Sequence, residues 1–278
     1  MDIRRLTKEI EEEIITFRRQ IHRYPELSSE EFMTTKLIEE KLKENNIEYT
    51  KTDLKSGIIA IIRGEKAGKT IALRGDIDAL PIHEESELEF ASENDGVMHA
   101  CGHDIHTAVL MGALLVLNQF KNEIRGNIKF FFQPAEEKIG GAKMFIEAGA
   151  LSSPEVDAVI GFHTWPDLEA GSVGYKKGAF LASTDELFID IFGKGGHAAH
   201  PDQCVDPILI SAHVLTKLQS IISRELSPTD SAVVTIGTIN AGIASNVIPS
   251  HVEMSGTVRT VNKNTHDNIF DKIRRIVT

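Results

Sequence analysis

TIALRGDIDALP, residues 70–81, begins as a short apolar strand, Thr70–Arg74, and closes on two carboxylates, Asp76 and Asp78. Side chains two apart in extended backbone point to the same side, so both acids face one way at the end of that strand. Working outward, GIIAII at Gly57–Ile62 predicts another strand, joined to the first by the turn GEKAGK at 64–69. Downstream, the spacing predicts a buried helix over Ile105–Gln119 with Asp104 as its N-cap. A strand at Asn127–Phe132, a helix at Gly141–Ala148 and a strand at Asp157–Phe162 follow. Upstream, Ile3, Leu6, Ile10, Ile14, Phe17 and Ile21 recur at three- and four-residue steps, an amphipathic helix over 3–22 that Tyr24-Pro25 stops. A second helix is expected from Ser29 to Asn45, with Glu30 and Glu31 favouring its N-terminus. Short apolar strands alternating with helices make an α/β domain with a largely parallel central sheet. The polar residues sit just after the strands, where open α/β sheets build their sites.

Around 171–182 the pattern changes. Strand Thr184–Phe192, helix Asp206–Arg224, strands Ser231–Asn240 and His251–Thr260, and helix Thr265–Val277 read as a split βαβ, ferredoxin-like arrangement without its last strand. The expected division is therefore a first domain over 1–180 and a second, α+β domain over 181–278, both incomplete at the C-terminal end.

Composition excludes several classes. Thirty Lys and Arg against 41 Asp and Glu leave a formal charge of −11 over 278 residues, which would repel a phosphate backbone. The longest apolar run, Ala108–Leu117, is ten residues, and a membrane helix needs ~20. The N-terminus, MDIRRLTKEIEEEIITFRR, has no apolar core or cleavage site of a secretory leader. Two cysteines, Cys101 and Cys204, fit a reducing compartment, so a cytoplasmic protein is expected. GEKAGKT at Gly64–Thr70 imitates a phosphate loop, but it is one residue short and leads into a strand where a helix is required.

The chemistry gathers in four segments. MHACGHDIH at Met98–His106 places Cys101 and His103 two apart before a helix; thiolate and imidazole suit a borderline ion such as zinc. His99 and His106 read as supporting or helix-packing residues. QPAEEKIGGA at Gln133–Ala142 carries Glu136 and Glu137 side by side, and adjacent side chains diverge, so one can bind a metal while the other addresses a water. GFHTWP at 161–166 sets His163 directly after an apolar strand. Together, Cys101, His103, Glu137 and His163 offer mixed S, N and O ligands, with Glu136 left over as a general base. A divalent ion lowers the pKa of water towards ~7, and a carboxylate can then move the proton, which is the chemistry of amide hydrolysis.

RGDIDALP, MHACGHD, QPAEE, GFHTWP, GKGGHAAHP (193–201) and SNVIP (245–249), in this order, resemble the dinuclear metal amidohydrolases. That family includes aminoacylases, hippurate hydrolases, indoleacetyl-amino-acid hydrolases and N-acetyl-diaminopimelate deacetylases. The resemblance covers essentially the whole chain. It implies hydrolysis of N-acyl amino acids with two divalent ions, zinc or manganese, in a homodimer built through the second, lid domain. Cys101, His103, Glu137 and His163 match the family's metal ligands, Glu136 its base, and Asp78 the carboxylate that steadies the cluster from behind. His197, in a Gly-rich turn, matches a lid histidine that polarises the scissile carbonyl in the partner's site. Asn246 and Arg259 match positions that hold the substrate carboxylate. The family's catalytic domain resumes after the lid and returns a further His ligand, which this sequence, ending at Thr278, does not contain; a fragment or a truncated product is expected. The competing expectations are a dipeptidase or carboxypeptidase of the same superfamily, and an inactive relative that only self-associates. A zinc nucleobase deaminase would need the combined H-x-E…P-C-x-x-C pattern, which is absent.

Overall fold

The computed structural model describes residues 2–138 and 140–278. The chain divides into two compact units, one ending at Asp167 and the other spanning Leu168–Thr278. Among the described residues no helix is long and apolar enough to cross a membrane.

The first unit opens with α1 (Ile3–Glu9) and α2 (Glu11–Arg23). The single helix expected over 3–22 is kinked at Ile10, although Ile10 N still donates to Leu6 O and Ile14 N to Ile10 O. The apolar stripe runs through the kink: Leu6, Phe17 and Ile21 are all buried. α3 (Phe32–Glu44) starts later than the expected Ser29. Ser29 is left-handed at φ 69°, and the Glu26 carboxylate accepts from Met33 N and Thr34 N, which sets the start of the helix. There follow β1 (Glu48–Lys51), β2 (Ile58–Arg63), β3 (Lys66–Asp76), α4 (His103–Asn118), β4 (Arg125–Gln133), α5 (Gly141–Glu147) and β5 (Ala158–Gly161).

The five strands form one sheet in the order β1-β2-β4-β3-β5. β3 pairs in parallel with both β4 and β5, while β2 is antiparallel to β4 and to β1. Four strands thus run one way and β2 alone is reversed, a mixed α/β sheet that is mostly parallel in direction. Period-two alternation in β4 sends Phe130 and Phe132 to one face and Phe131 to the other. Phe130 and Phe132 are fully enclosed with Ile38, Leu42, Met111 and Leu114 from α3 and α4, whereas Phe131 packs with Ala72 and Phe145 on the α5 side. Phe130→Ala should therefore cost about 3–5 kcal/mol of stability. Urea unfolding followed by tryptophan fluorescence and circular dichroism measures it, and a loss below about 1 kcal/mol would mean the site had refilled.

Because β3, β4 and β5 are parallel, their carboxyl ends Asp76, Gln133 and Gly161 lie along one edge of the sheet. The expected N-cap of α4 is corrected: Gly102, at φ +79°, occupies that position, and Asp104 lies in the first turn. A Cβ on Gly102 would come within 2.6 Å of Thr164 Oγ1, so the close approach of the two loops also requires glycine. The Asp104 carboxylate is instead engaged by His22 Nδ1 at 2.8 Å and Arg18 Nε at 2.6 Å.

The second unit contains β6 (Asp185–Phe192), β7 (Gly196–His197), α6 (Pro207–Ser220), β8 (Ala232–Ala241), β9 (Val247–Ile248), β10 (His251–Thr260) and α7 (Lys263–Val277). β6, β10 and β8 form an antiparallel sheet in that spatial order. Leu187, Ile189 and Ile191 alternate inward from β6 and meet Val214 and Leu218 of α6 and Ile269 and Ile273 of α7. Asp206 caps α6 through Ile208 N and Leu209 N, with Pro207 in the first helical position, where its missing N–H is no loss.

Candidate metal centre

The loop after β3 supplies Asp76 and Asp78, both buried. Asp76 Oδ1 accepts from His106 Nδ1 at 2.6 Å and its Oδ2 from Arg74 at 2.6 Å. Burial opposes ionisation of Asp76, but the His106 hydrogen bond and the Arg74 and His103 charges outweigh it and hold the carboxyl at about 2. Asp78 joins three segments: Oδ1 faces His103 Nδ1 at 3.2 Å, and Oδ2 accepts from Ser28 Oγ at 2.6 Å and Glu137 N at 2.9 Å. Here too burial is overcome, by the bonds from His103 and Ser28, and the carboxyl lies below its ordinary range.

His103, in the first turn of α4, is at the centre. With Nδ1 turned to Asp78, its Nε2 lies 3.7 Å from Asp76 Oδ1, 3.7 Å from Glu137 Oε1 and 3.8 Å from Glu136 Oε2. Burial would lower the imidazole pKa, but hydrogen bonding to Asp78 and Cys101 and the charges of Asp76 and Asp78 push it up to about 11. So many anionic groups around one ring create a demand for positive charge. Cys101 Sγ is 3.3 Å from His163 Nε2, and His163 Nδ1 donates to Thr164 O at 2.6 Å, so Nε2 presents its lone pair to the cluster. Glu136 and Glu137 follow Ala135, which is left-handed at φ 55° and turns the chain away from the line of β4. The Glu136 pKa is raised, first by burial and then by the neighbouring Glu137 and Asp76.

A metal ion fits this arrangement on one specific observation. His103 Nε2 and Glu137 Oε1 are both buried and, among the described residues, have no hydrogen-bond partner, yet they face each other across 3.7 Å. Buried polar atoms left unpaired cost ~1–3 kcal/mol each, and a metal cation in place of the imidazole proton supplies the positive charge and satisfies both atoms at once. Cys101, His103 and His163 place one donor atom each within 4.8 Å of one another, as do His103, Glu136 and Glu137. Thiolate, imidazole and carboxylate together suit a borderline divalent ion.

All six first-unit residues singled out in the sequence, Asp78, Cys101, His103, Glu136, Glu137 and His163, therefore come to one edge of the sheet. His106 is close by, but both its nitrogens are used, Nδ1 by Asp76 and Nε2 by the Thr164 amide at 2.9 Å. His99 is enclosed, with burial lowering its pKa to about 4. His197, Asn246 and Arg259 lie in the second unit. His197 is not in a free turn as expected: Gly196 and His197 pair with Ile248 and Val247, and Ala198 N donates to Asn246 O at 3.0 Å. Backbone hydrogen bonds thus fix the Gly-rich segment while its imidazole stays exposed. Arg259 sits eight residues along β10 from His251, roughly 27 Å at ~3.4 Å per residue, so it does not share the Asn246 corner. Asp76 is a contributor that the sequence pointed to only as half of a pair.

A family model described as peptidase family M20/M25/M40 matches residues 72–277. The chain belongs to this family. An N-acetylcysteine deacetylase of Bacillus subtilis is 47% identical over 264 residues, covering 95% of this M20 chain and 69% of the relative. Thermostable carboxypeptidase 1 of Saccharolobus solfataricus is 43% identical over 274 residues, covering 98% of this chain and 69% of the relative. Among solved structures, a Bacillus subtilis dinuclear metal binding peptidase of the M20 family superposes with a TM-score of 0.82 at 42% identity, covering 97% of this chain and 70% of that one. This M20 chain thus spans about two thirds of the length of the proteins it matches.

Proposed function

We propose that the protein hydrolyses the amide bond of N-acyl amino acids, releasing a carboxylate and the free amino acid. The observation that carries the reading is the facing pair of partnerless atoms, His103 Nε2 and Glu137 Oε1, with the Glu136 carboxylate 3.8 Å from the same imidazole nitrogen. Similarity to the N-acetylcysteine deacetylase supports the substrate class. Cys101, His103, Glu137 and His163 hold two divalent ions, zinc or manganese. When bound, those ions supply Lewis acidity, lowering the pKa of water and drawing electron density from a carbonyl. Glu136 takes a proton from the attacking water as the C–O bond forms and gives it to the nitrogen as the C–N bond breaks. Its raised pKa suits both halves of that task. Asp78 fixes the His103 ring so that Nε2 faces inward. Asn246 and Arg259 bind the substrate carboxylate in different sites, Asn246 with the neighbouring His197 segment in the partner's and Arg259 in its own; a guanidinium matches a carboxylate with two parallel hydrogen bonds.

In this reading residues 1–180 form the catalytic domain and 181–278 a lid that builds a homodimer, and the enzyme works in the cytoplasm. His197 polarises the scissile carbonyl of the partner's site. Its Nδ1 accepts from Ala199 N at 3.1 Å, so the proton is on Nε2, the form that can donate to an oxyanion. Mixing inactive Glu136→Gln and His197→Ala chains should then restore activity. Random exchange makes about half the dimers hybrids, each with one unaltered site, so about a quarter of wild-type turnover is expected. No recovery after exchange has been verified by mass spectrometry would remove the trans role.

A carboxypeptidase reading is favoured by similarity to the thermostable carboxypeptidase. Both reactions cut an acyl–NH bond next to a free α-carboxylate, and they differ only in the size of the acyl group. The whole protein, loaded with zinc or manganese, should release acetate from N-acetyl-L-amino acids faster than it cleaves free dipeptides. Cleavage of peptides alone would replace the N-acyl reading with this one.

A further inference from the structure

Glu31 has no accessible surface, yet its carboxylate lies far in sequence from any residue discussed so far as a ligand or base. Oε1 accepts from Ala135 N at 2.8 Å and Ser29 N at 2.9 Å, and Oε2 accepts from Ser56 Oγ at 2.5 Å. A buried carboxylate is tolerated only when donors surround it, and here three do. One of the three is the amide of the left-handed alanine directly before Glu136. For an alanine that conformation costs ~1–2 kcal/mol, so the surroundings must hold it. The surroundings are unusually specific. Lys138 Nζ donates to Ser28 O at 2.9 Å on the far side of the Glu136-Glu137 pair. A Cβ on Gly141 would come within 1.9 Å of Ala135 O, so the carbonyl side of the same residue is closed by backbone. The segment from Ser28 to Glu31 thus grips the chain before and after the two glutamates and, through Ser28 Oγ, also grips Asp78.

We infer that Glu31 is a positioning residue for the general base: it clamps the Ala135 amide and so aims the Glu136 carboxylate. The inference rests on the amidohydrolase reading of the site. It requires the length of the Glu31 side chain more than its charge. Glutamine keeps the length: its carbonyl oxygen still accepts from Ala135 N and Ser29 N, and its amide donates to a reoriented Ser56 hydroxyl. Aspartate keeps the charge, but it withdraws the acceptor by about one C–C bond, ~1.5 Å. A displacement of that size at a reacting group costs on the order of 10²-fold in rate.

The test compares Glu31→Gln and Glu31→Asp in the metal-loaded whole protein. Glu31→Gln should retain kcat within about threefold. Glu31→Asp should lower kcat about 10–100-fold, with KM within about twofold and metal content unchanged. Hydrogen exchange followed by mass spectrometry on the peptide containing residues 133–138 should be faster in Glu31→Asp than in the wild type. Leu42→Ala, a core truncation in the same unit, serves as the control for loosening and should hold kcat well below its Tm. Wild-type kcat in Glu31→Asp, a larger loss in Glu31→Gln than in Glu31→Asp, a kcat loss that follows loss of metal, or an equal loss in Leu42→Ala would each overturn the inference. If the wild type hydrolyses no N-acyl amino acid, the functional reading has failed, and the exchange of residues 133–138 alone decides whether Glu31 holds Ala135.

Discussion

Glu136→Gln is expected to abolish turnover of N-acyl amino acids while leaving metal content at the wild-type value. Losing a positioned general base costs ~10²–10⁴ in rate, because an amide cannot accept the proton of the attacking water. The two neighbouring glutamates lie almost equally far from His103 Nε2, so distance does not separate their roles. Surroundings do. Glu137 is the more buried side chain, has a partnerless oxygen, and gives its own amide to Asp78; Glu136 is the more exposed. Kinetics together with elemental analysis of the same preparation check the assignment. A Glu136→Gln protein that loses metal would exchange the two roles.

Removal of a ligand should act in the opposite sense. His103→Ala and Cys101→Ala are expected to leave less than one divalent ion per chain after reconstitution, against two for the wild type. Cys204→Ala should keep both, since Cys204 lies in the second unit and its Sγ donates to His200 O at 3.5 Å. A thermal consequence follows. An ion that binds only the folded chain stabilises it by about 2.7 kcal/mol at a hundredfold excess over Kd, so zinc should raise the Tm of the wild type and of Cys204→Ala but not of His103→Ala. Full metal content in Cys101→Ala would exclude the thiol from the site.

Much of this was legible in the sequence because two independent signals coincide. Apolar runs such as Ile58–Ile62 and Phe130–Phe132 announce buried strands, and the polar residues fall at their ends. The parts that were not legible depend on tertiary partners. β1, EYTK, is short and polar, and it becomes a strand only because β2 offers it an edge. Asp104 has the chemistry of an N-cap, but Arg18 and His22 compete for its carboxylate and a left-handed glycine takes the position. The kink at Ile10 leaves the hydrophobic period intact, so periodicity could not show it. His197 reads as part of a loose glycine turn because its pairing partner, Val247, is fifty residues away. Glu31 looks like an ordinary first-turn acid, and nothing local reveals that its oxygens reach the amide of Ala135.

α4 carries His103 in its first turn and buries Ala108, Leu110, Met111, Leu114, Leu115 and Val116 along its length. The imidazole is therefore anchored to a rod that cannot slide or rotate without opening the packing around Phe130 and Phe132. Cys101 and His163, by contrast, hang on loops with solvent on one side. Any adjustment of the cage to a wider or narrower ion has to come from that softer wall. Attempts to retune the preferred ion by exchange of residues should start at Cys101 and Thr164, leaving the helix untouched.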